Sequence, residues 1–290
     1  MIRICPNVWN QIFLKGYTLQ HLAHRRPRVG LLNFRHRFRQ ALSRFVARPC
    51  PQKIPSGPLT LLADGLVFHF QKKPWVLYLT ALKPCNGKKA IFLDPILLSG
   101  KEGAFRWEQV FAAIPPGPKA RIRALVVDNL NGMKRIAKHE NWALQLCHFH
   151  LILKFQIQYR RRRRALKGGV VREEIYRLIR QALETPEESL LNNSLDRLTL
   201  LTRSSCGTQR IQAVVREFLQ SINYYRAYQR HPELNLPTTT NTVESMCCII
   251  RDLLRRNRCA SSPQSLLKWT TALIRLRQKL ICNGKHHQQI

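Results

Sequence analysis

Residues 122–150, IRALVVDNLNGMKRIAKHENWALQLCHFH, decide the fold of this chain. The stretch opens with an apolar run at 124–127, and the run stops at Asp128. Short apolar runs with β-branched residues are typical of buried strands. The Asn and Gly residues that follow Asp128 favour a turn from a strand into a helix. The pattern therefore predicts a strand that ends at a carboxylate.

The second half of the same stretch predicts a short helix over 133–140 and a second strand over 142–146. This strand runs into the tetrapeptide CHFH at 147–150. Because ligands collect at the carboxyl ends of strands in open α/β sheets, both polar clusters lie where chemistry is expected. The whole stretch is predicted to be a β–α–β unit.

Charge is the strongest compositional feature of the chain. Its 290 residues include 49 Lys and Arg against 16 Asp and Glu, a formal net charge of +33. Self-repulsion at this level opposes folding unless a polyanion neutralises it, so nucleic acid is the expected partner. The chain is also 44% hydrophobic, a larger core than a basic packaging or ribosomal protein needs. At this length, more than one domain is expected.

The cysteines and apolar segments indicate the compartment. Nine cysteines, an odd number, are scattered along the chain, and two of them are adjacent at 247 and 248. This is not the pattern of a disulfide framework, and it favours a reducing compartment. Pro, Asn and Gln interrupt the first residues, which argues against a signal peptide, and no apolar run is long enough to span a bilayer. We therefore expect a cytoplasmic, nucleoid-associated protein with no membrane partner.

Residues 1–48 are basic and are predicted to be helical. Thr18 can cap a short helix over Leu19–His24, residues 25–30 form a turn, and residues 31–46 have helical apolar spacing. A helix, a turn and a basic helix are the plan of a helix-turn-helix DNA reader. The alternative is an amphipathic helical hairpin with a solvated basic face. The expected DNA contacts on the second helix are Arg35, Arg37 and Arg39.

A linker over 49–58 carries four prolines and separates this segment from a strand-rich block. Strands are predicted over 59–63, 75–82 and 90–98, with a hairpin signal at Asn86–Gly87 and a possible continuation of the first strand over 67–70. A helix is predicted over 105–113. Hairpin-linked strands followed by a β–α–β unit predict a mixed α/β (α+β) fold, whose first part spans 59–150.

Only helices are predicted after residue 150. The predicted domains are a helical insertion over 151–240, C-terminal helices over 241–282 that complete the core, and a polar tail over 283–290. The predicted helices are 151–167, 170–183, 187–202, 208–230, 241–256 and 263–281.

Three carboxylates are the candidate catalytic and metal-binding groups. Asp64 and Asp128 each follow a predicted buried strand, and Glu244 lies at the start of a predicted helix. Converging carboxylates bind hard divalent cations such as Mg²⁺ or Mn²⁺, and two such ions can promote phosphodiester cleavage. Each residue also has a structural explanation. Both aspartates can be turn residues, and Glu244 can be the capping-box partner of Asn241.

Taken together, these residues resemble a known family. Asp64, Asp128, the Cys147-x-x-His150 motif and Asn241-x-x-Glu244, with a helical insertion before the last acid, are similar to the DDE transposases of the Mutator-like group and their bacterial insertion-sequence relatives. The resemblance covers about residues 59–282. It implies a ribonuclease H-like core with Mg²⁺ on the three acids, and Cys147 and His150 as a structural motif.

The same resemblance implies an activity and partners. A transposase of this kind cleaves DNA at the terminal inverted repeats of its element and joins the freed 3′-hydroxyl to target DNA. It forms no covalent protein–DNA intermediate, and we expect a homo-oligomer assembled on DNA. The main alternative in another functional class is a non-catalytic DNA-binding protein derived from a transposase.

The histidines of the CHFH tetrapeptide allow a different enzyme. If His148 and His150 lie on one face of a strand, they resemble the His-hydrophobic-His pair of nucleases that attack DNA with a tyrosine. Tyr159 and Tyr176 are then the candidate nucleophiles. Cys147 and His150 as a zinc site need two further ligands, and none is near in sequence. A hydrogen-bonded strand end that orients the insertion is the simpler explanation of the motif.

Two further groups of arginines are expected at DNA. Five successive arginines cannot share one helix face, so some of them are expected to contact phosphate and the rest solvent; a fully solvated charge run is the alternative. The second group follows Glu244 on its helix and is placed to hold a DNA end near the metals. The residues are Arg160, Arg161, Arg162, Arg163 and Arg164 in the first group, and Arg255 and Arg256 in the second.

Overall fold

The computed structural model describes residues 6–25, 30–50, 53–155, 169–203 and 208–281. The arginine run at 160–164, Tyr159, most of the predicted helix 151–167 and the tail 283–290 lie outside these residues. Among the described residues, no helix is both long and apolar enough to cross a membrane.

One mixed sheet organises the described residues, and the predicted α/β class is confirmed. Its strand order is β6-β5-β1-β2-β3-β7, with β4 pairing β2. The β1–β5 and β5–β6 pairs are parallel, and the other pairs are antiparallel. The strands are β1 Leu59–Phe70, β2 Lys73–Pro84, β3 Lys89–Phe92, β4 Ile96–Ser99, β5 Ile122–Val127, β6 Ala143–Leu146 and β7 Lys279–Ile281.

Helices cover both faces of this sheet. Asn10–Leu14 is a π-helical turn that follows α1, and Pro232–Leu234 is a 3₁₀ turn. The α-helices are α1 Pro6–Trp9, α2 Leu19–His24, α3 Leu31–Ala47, α4 Ala104–Ala112, α5 Pro116–Lys119, α6 Met133–His139, α7 His148–Phe155, α8 Gly169–Glu184, α9 Glu188–Arg203, α10 Gln209–Leu219, α11 Ile222–Tyr225, α12 Ala227–Arg230, α13 Asn241–Asn257 and α14 Pro263–Arg277.

The β–α–β unit and the β2–β3 hairpin are confirmed within one or two residues of their predicted ends. The predicted strand 90–98 is instead two strands, since Pro95 at the break has no backbone N–H for the ladder. The predicted helix 208–230 is divided into α10, α11 and α12, and the last predicted helix stops at Arg277, where β7 adds an edge to the sheet.

The predicted strand 59–63 and its continuation over 67–70 are confirmed as parts of one strand, and only the break expected at Asp64 is wrong. Strand β1 continues to Phe70, because β2 pairs with it along its whole length through a tight turn at Gln71 and Lys72, which both have positive φ. Only the parallel partner β5 stops early, with its last pair at Leu62 and Val126. Asp64 therefore lies inside an antiparallel hairpin, at the point where the parallel pairing ends.

Side-chain alternation along β1 separates two hydrophobic cores. Leu61 and Ala63 belong to the first core, together with α4, α6 and the helices of the insertion. Leu62 and Leu66 belong to the second core, together with the N-terminal helices, α13 and α14. We call these two sides of the sheet the insertion face and the terminal face.

The N-terminal helices pack on the terminal face. Thr18 caps α2 as predicted, since its side chain accepts a hydrogen bond from the His21 N–H at 3.1 Å. Phe38 of α3 is fully buried, and its ring lies 5.3 Å from that of Trp269 on α14. Lys268 donates to Ser43 Oγ at 2.9 Å. The first and last helices of the described chain therefore share one core.

Candidate active site

Asp64 and Asp128 lie next to each other on adjacent parallel strands. Leu62 of β1 pairs with Val126 of β5, and each aspartate comes two residues later. Because side chains alternate, both aspartates continue on the terminal face, where α13 lies. Cys247 of α13 confirms this for Asp64, since its Sγ donates to Asp64 Oδ2 at 3.8 Å.

Each aspartate is fixed by the backbone N–H of the next residue. The Gly65 N–H donates to Asp64 Oδ1 at 2.8 Å, and the Asn129 N–H donates to Asp128 Oδ1 at 2.6 Å. Asp128 also opens a tight turn, because its carbonyl accepts from the Leu130 N–H at 2.8 Å. The turn explanation thus describes the backbone at Asp128 correctly, but it does not apply to Asp64, which lies within β1.

Glu244 lies in the first turn of α13, near enough to Asp64 and Asp128 for their charges to raise its pKa. The predicted capping box between Asn241 and Glu244 is wrong, because Thr240 is the residue before the helix and Asn241 is already helical. Thr240 Oγ1 donates to Glu244 Oε1 at 2.8 Å, and Oε1 also lies 3.6 Å from His150 Nδ1. The carboxylate is held by a hydroxyl group on one side and approached by an imidazole on the other.

The Cys-x-x-His motif meets Glu244 in space. Cys147 is buried at the end of β6, and its Sγ accepts a hydrogen bond from the Thr240 N–H at 3.3 Å. One ligand atom from each of Cys147, His150 and Glu244 lies within 4.8 Å of the other two. Among the described residues, the three acids Asp64, Asp128 and Glu244 do not form a group this tight. Glu244 is therefore a third possible metal ligand beside Cys147 and His150, which the sequence alone did not place near them.

The prediction that His148 and His150 share a strand face is wrong. The strand ends at Leu146, and both histidines lie in α7. His148 is buried, and its Nε2 lies 2.7 Å from the carbonyl oxygen of Tyr225. His150 lies at Glu244 instead. Residues two apart on a helix point about 200° apart, so they cannot hold one ion together.

Burial is the largest influence on the pKa values of the acids in this site. Burial raises the pKa of Asp64, and the charge of Asp128 raises it further, while His150 lowers it. Burial also raises the pKa of Glu244, which the Thr240 hydrogen bond and His150 partly offset. Burial lowers the pKa of His150, but Cys147, Asp128 and Glu244 outweigh burial and bring that pKa to about 10. A cation is therefore favoured among these carboxylates.

A fourth carboxylate, Glu102, was missed by sequence reasoning. The Trp107 Nε1–H donates to Glu102 Oε1 at 3.0 Å. A Cβ on Gly65 would lie 2.6 Å from the same oxygen, so a larger residue at position 65 would displace the Glu102 carboxylate. Burial raises the pKa of Glu102, and the charges of Asp64 and Asp128 raise it further. The only sequence signal was a glycine inside a strand.

The helical insertion holds the loop after Asp128 from the other face. Asn129 Nδ2 donates to Glu217 Oε1 of α10 at 2.6 Å, and Lys154 Nζ donates to the same oxygen at 2.9 Å. Lys134 Nζ donates to Ser221 Oγ at 2.7 Å, at the turn after α10. These contacts connect polar groups of the insertion to the segment that follows Asp128.

The described candidate DNA-binding arginines lie on the two helices where they were expected. Arg39 of α3 is exposed, and Arg35 and Arg37 are half-buried. Both arginines at the end of α13 form ion pairs with Asp252, each at 2.9 Å. Arg256 also donates to the carbonyl oxygen of Gly16 at 3.3 Å, which ties α13 to the N-terminal segment.

No protein-family model matches this chain, and a search of curated proteins finds none that matches it in sequence.

Proposed function

We propose that this chain is a DDE-type transposase that catalyses metal-dependent DNA cleavage and strand transfer for an insertion sequence. The observation that supports this most directly is the position of Asp64 on β1 and of Asp128 directly after β5, the parallel neighbour of β1, with Glu244 in the first turn of α13. Carboxylates in such an arrangement suit phosphodiester chemistry with divalent cations.

The donor atoms fit Mg²⁺ or Mn²⁺. Asp64, Asp128 and Glu244 offer carboxylate oxygens, which hard cations prefer. Burial and the charges of neighbouring acids raise the pKa values of Asp64 and Glu244. When bound, such ions supply an activated nucleophilic oxygen and a stabilised leaving oxygen. The chain's own contribution is to orient the carboxylates through the Gly65 and Asn129 N–H groups and the Thr240 hydroxyl.

The proposed partner is DNA, both at terminal inverted repeats and at the target site. The net charge of +33 supports this, because lysine and arginine contacts with phosphate release counterions. Helix α3 is the proposed DNA reader, with Arg39 exposed on it. We further propose a homo-oligomer on DNA and a cytoplasmic, nucleoid-associated location.

The experiment that tests the function is a cleavage assay of the purified full chain on labelled DNA taken from both flanks of its own gene. We expect strand cleavage with Mg²⁺ or Mn²⁺ and none with EDTA. Asp64→Asn should abolish the cleavage. Asp252→Asn is the matched control on α13, since Asp252 pairs only with arginines at the far end of that helix. Cleavage that persists in EDTA or in Asp64→Asn would contradict the proposal.

A non-catalytic DNA-binding protein derived from a transposase is the second candidate. One observation favours it: Glu244 lies in a tight group with Cys147 and His150 rather than with the two aspartates. If this candidate is right, the chain binds DNA with a steep salt dependence but cleaves neither flank under any divalent cation. The same assay with a binding measurement distinguishes the two candidates.

A further inference from the structure

We propose that Cys147, His150 and Glu244 form a binding site for a transition-metal ion of the Zn²⁺ type, and that this site shares Glu244 with the carboxylate site of Asp64 and Asp128. The three ligands come from three elements: the end of β6, the first turn of α7 and the first turn of α13. Their donor atoms all lie within 4.8 Å of one another.

The spacing of two of these atoms fits an ion better than a hydrogen bond. His150 Nδ1 and Glu244 Oε1 are 3.6 Å apart, which is too long for a hydrogen bond. Zinc bonds of about 2.0–2.2 Å in a tetrahedron place two such ligand atoms roughly 3.3–3.6 Å apart. His150 Nδ1 is also buried and has no hydrogen-bond partner among the described residues. A metal ion between these atoms would give Nδ1 a partner, and Oε1 would bind the ion in addition to the Thr240 hydroxyl.

The sulfur ligand is held in place before any ion binds. The Cys147 N–H donates to the carbonyl oxygen of Val127 at 2.9 Å, and the next N–H, that of His148, donates to the carbonyl oxygen of Thr238 at 2.9 Å. Cys147 is only 1% exposed, so its Sγ is fixed by packing as well. Binding therefore requires little ordering of the chain at this ligand.

Thr240 supports two of the three ligands at once. Its N–H donates to Cys147 Sγ at 3.3 Å, and its hydroxyl oxygen lies 3.3 Å from Sγ and 2.8 Å from Glu244 Oε1. The hydroxyl has one proton, so it donates to one of these acceptors at a time. Thr240 itself is fully buried. Outer hydrogen bonds of this kind orient ligands and strengthen metal binding.

The chemistry of the donors selects the metal. A thiolate and an imidazole favour zinc and related transition metals, whereas Mg²⁺ prefers oxygen ligands alone. Three protein ligands leave a fourth position for water or another group.

The consequence for activity rests on the proposed function. Glu244 belongs to the Cys147 and His150 group, and its carboxylate is near enough to Asp64 and Asp128 for their charges to raise its pKa. Zinc at the first site therefore withdraws a ligand from Mg²⁺ or Mn²⁺ at the second. The expected regulation is antagonism between the two classes of metal.

Cobalt absorption tests the site in the purified full chain, without DNA. Titration with Co²⁺ should give one thiolate-to-cobalt charge-transfer band per chain, and Zn²⁺ should displace it. The band should vanish in Cys147→Ser and persist in Cys248→Ser, the matched control at an exposed cysteine of α13. No band in the wild type, or a band that persists in Cys147→Ser, would overturn the proposal.

Thr240→Val gives a second test that keeps all three ligands. It should weaken Co²⁺ binding by about 10- to 100-fold. Unchanged affinity in a folded Thr240→Val protein would contradict the site as described, even if Cys147→Ser fails to fold.

Manganese binding tests the shared carboxylate. Free Mn²⁺ is followed by electron paramagnetic resonance, and one equivalent of Zn²⁺ should release bound Mn²⁺ from the wild type but not from Cys147→Ser. Undiminished Mn²⁺ binding with zinc present would overturn the sharing of Glu244. A chain that shows the cobalt band but binds no Mn²⁺ overturns the sharing and counts against the proposed function, while the zinc site stands.

Discussion

The two faces of the sheet differ in what they give to the candidate site. The terminal face is covered by helices from the two ends of the described chain, α3 and α14 among them, and it carries Asp64 and Glu244. The insertion face is covered by α4, α6 and the insertion. Its polar groups near the candidate site include Glu102, which accepts from Trp107, and Glu217, which accepts from Asn129.

This difference suggests that the terminal face supplies the reacting groups of the candidate site, whereas the insertion face holds them in position. On the terminal face, burial and the charges of neighbouring acids raise the pKa values of Asp64 and Glu244. On the insertion face, Glu217 and Glu102 are satisfied by hydrogen bonds from side chains of their own face. Changes on the terminal face should therefore affect catalysis and the core, and changes on the insertion face should affect how well the site is held.

The largest effect is expected at Asp128. The substitution Asp128→Asn keeps the size and the backbone hydrogen bond but removes the charge of a proposed metal ligand. Cleavage should fall by about 10³-fold or more, because metal stabilisation is worth several kcal/mol and each 1.4 kcal/mol is tenfold in rate. DNA binding should be unchanged or slightly tighter, since one repulsive charge near phosphate is gone. Single-turnover cleavage and a binding titration measure both; equal losses in the two would point to misfolding instead.

The next effect tests whether the N-terminal helices belong to the core of the terminal face. Phe38→Ala should lower the free energy of unfolding by about 3–5 kcal/mol, because the ring is fully buried against Trp9, Phe13 and Trp269. Denaturant unfolding followed by tryptophan fluorescence measures it. The exposed Leu32 of the same helix is the control, and Leu32→Ala should change stability little. Similar losses in both variants would mean that α3 is not packed as described.

The insertion face is tested at Glu217. Glu217→Ala leaves Asn129 and Lys154 without this acceptor, which should loosen the loop after Asp128 at a cost of about 1–3 kcal/mol. We expect a roughly tenfold slower cleavage with DNA affinity unchanged. Glu184→Ala, which removes an exposed ion pair elsewhere in the insertion, should leave the rate unchanged. A normal rate in Glu217→Ala would show that the insertion does not position the site.

A smaller, pH-dependent effect is expected at Glu102. Its pKa is raised in the folded state above the ordinary value of 4.5, so folding favours the protonated form. The stability of the wild type relative to Glu102→Gln should therefore fall as pH rises from about 4.5 through the raised pKa. Thermal unfolding of both proteins across this range measures the difference. A difference that grows in favour of the wild type with pH would contradict the assigned direction.

The smallest effect is expected at a single surface arginine. Arg39→Ala should weaken binding to any duplex and reduce the slope of log affinity against log salt by roughly 0.9 if Arg39 contacts one phosphate. Gln40→Ala, a neutral and exposed change on the same helix, is the control. An unchanged slope in Arg39→Ala would remove α3 from the DNA interface at this residue.

Local patterns in the sequence were sufficient for most elements. The apolar run at 124–127 and the turn residues after Asp128 gave β5, α6 and β6 nearly to the residue. The cap at Thr18 was correct for the same reason, since a cap is a contact within a few residues. The errors occurred where an element depends on pairing with another strand. Strand β7 forms by pairing with β3, and β1 continues past Asp64 by pairing with β2.

Local patterns in the sequence account for the mixed sheet, the basic charge and the positions of two of the three acids, Asp128 directly after β5 and Glu244 in the first turn of α13. Only the tertiary structure decided which groups meet. It joined Glu244 to Cys147 and His150, placed Glu102 under Gly65 and packed α3 on α14. The physical reason is that periodicity and caps act over a few residues, whereas these contacts join side chains that are tens to hundreds of residues apart and depend on how the helices dock on the sheet.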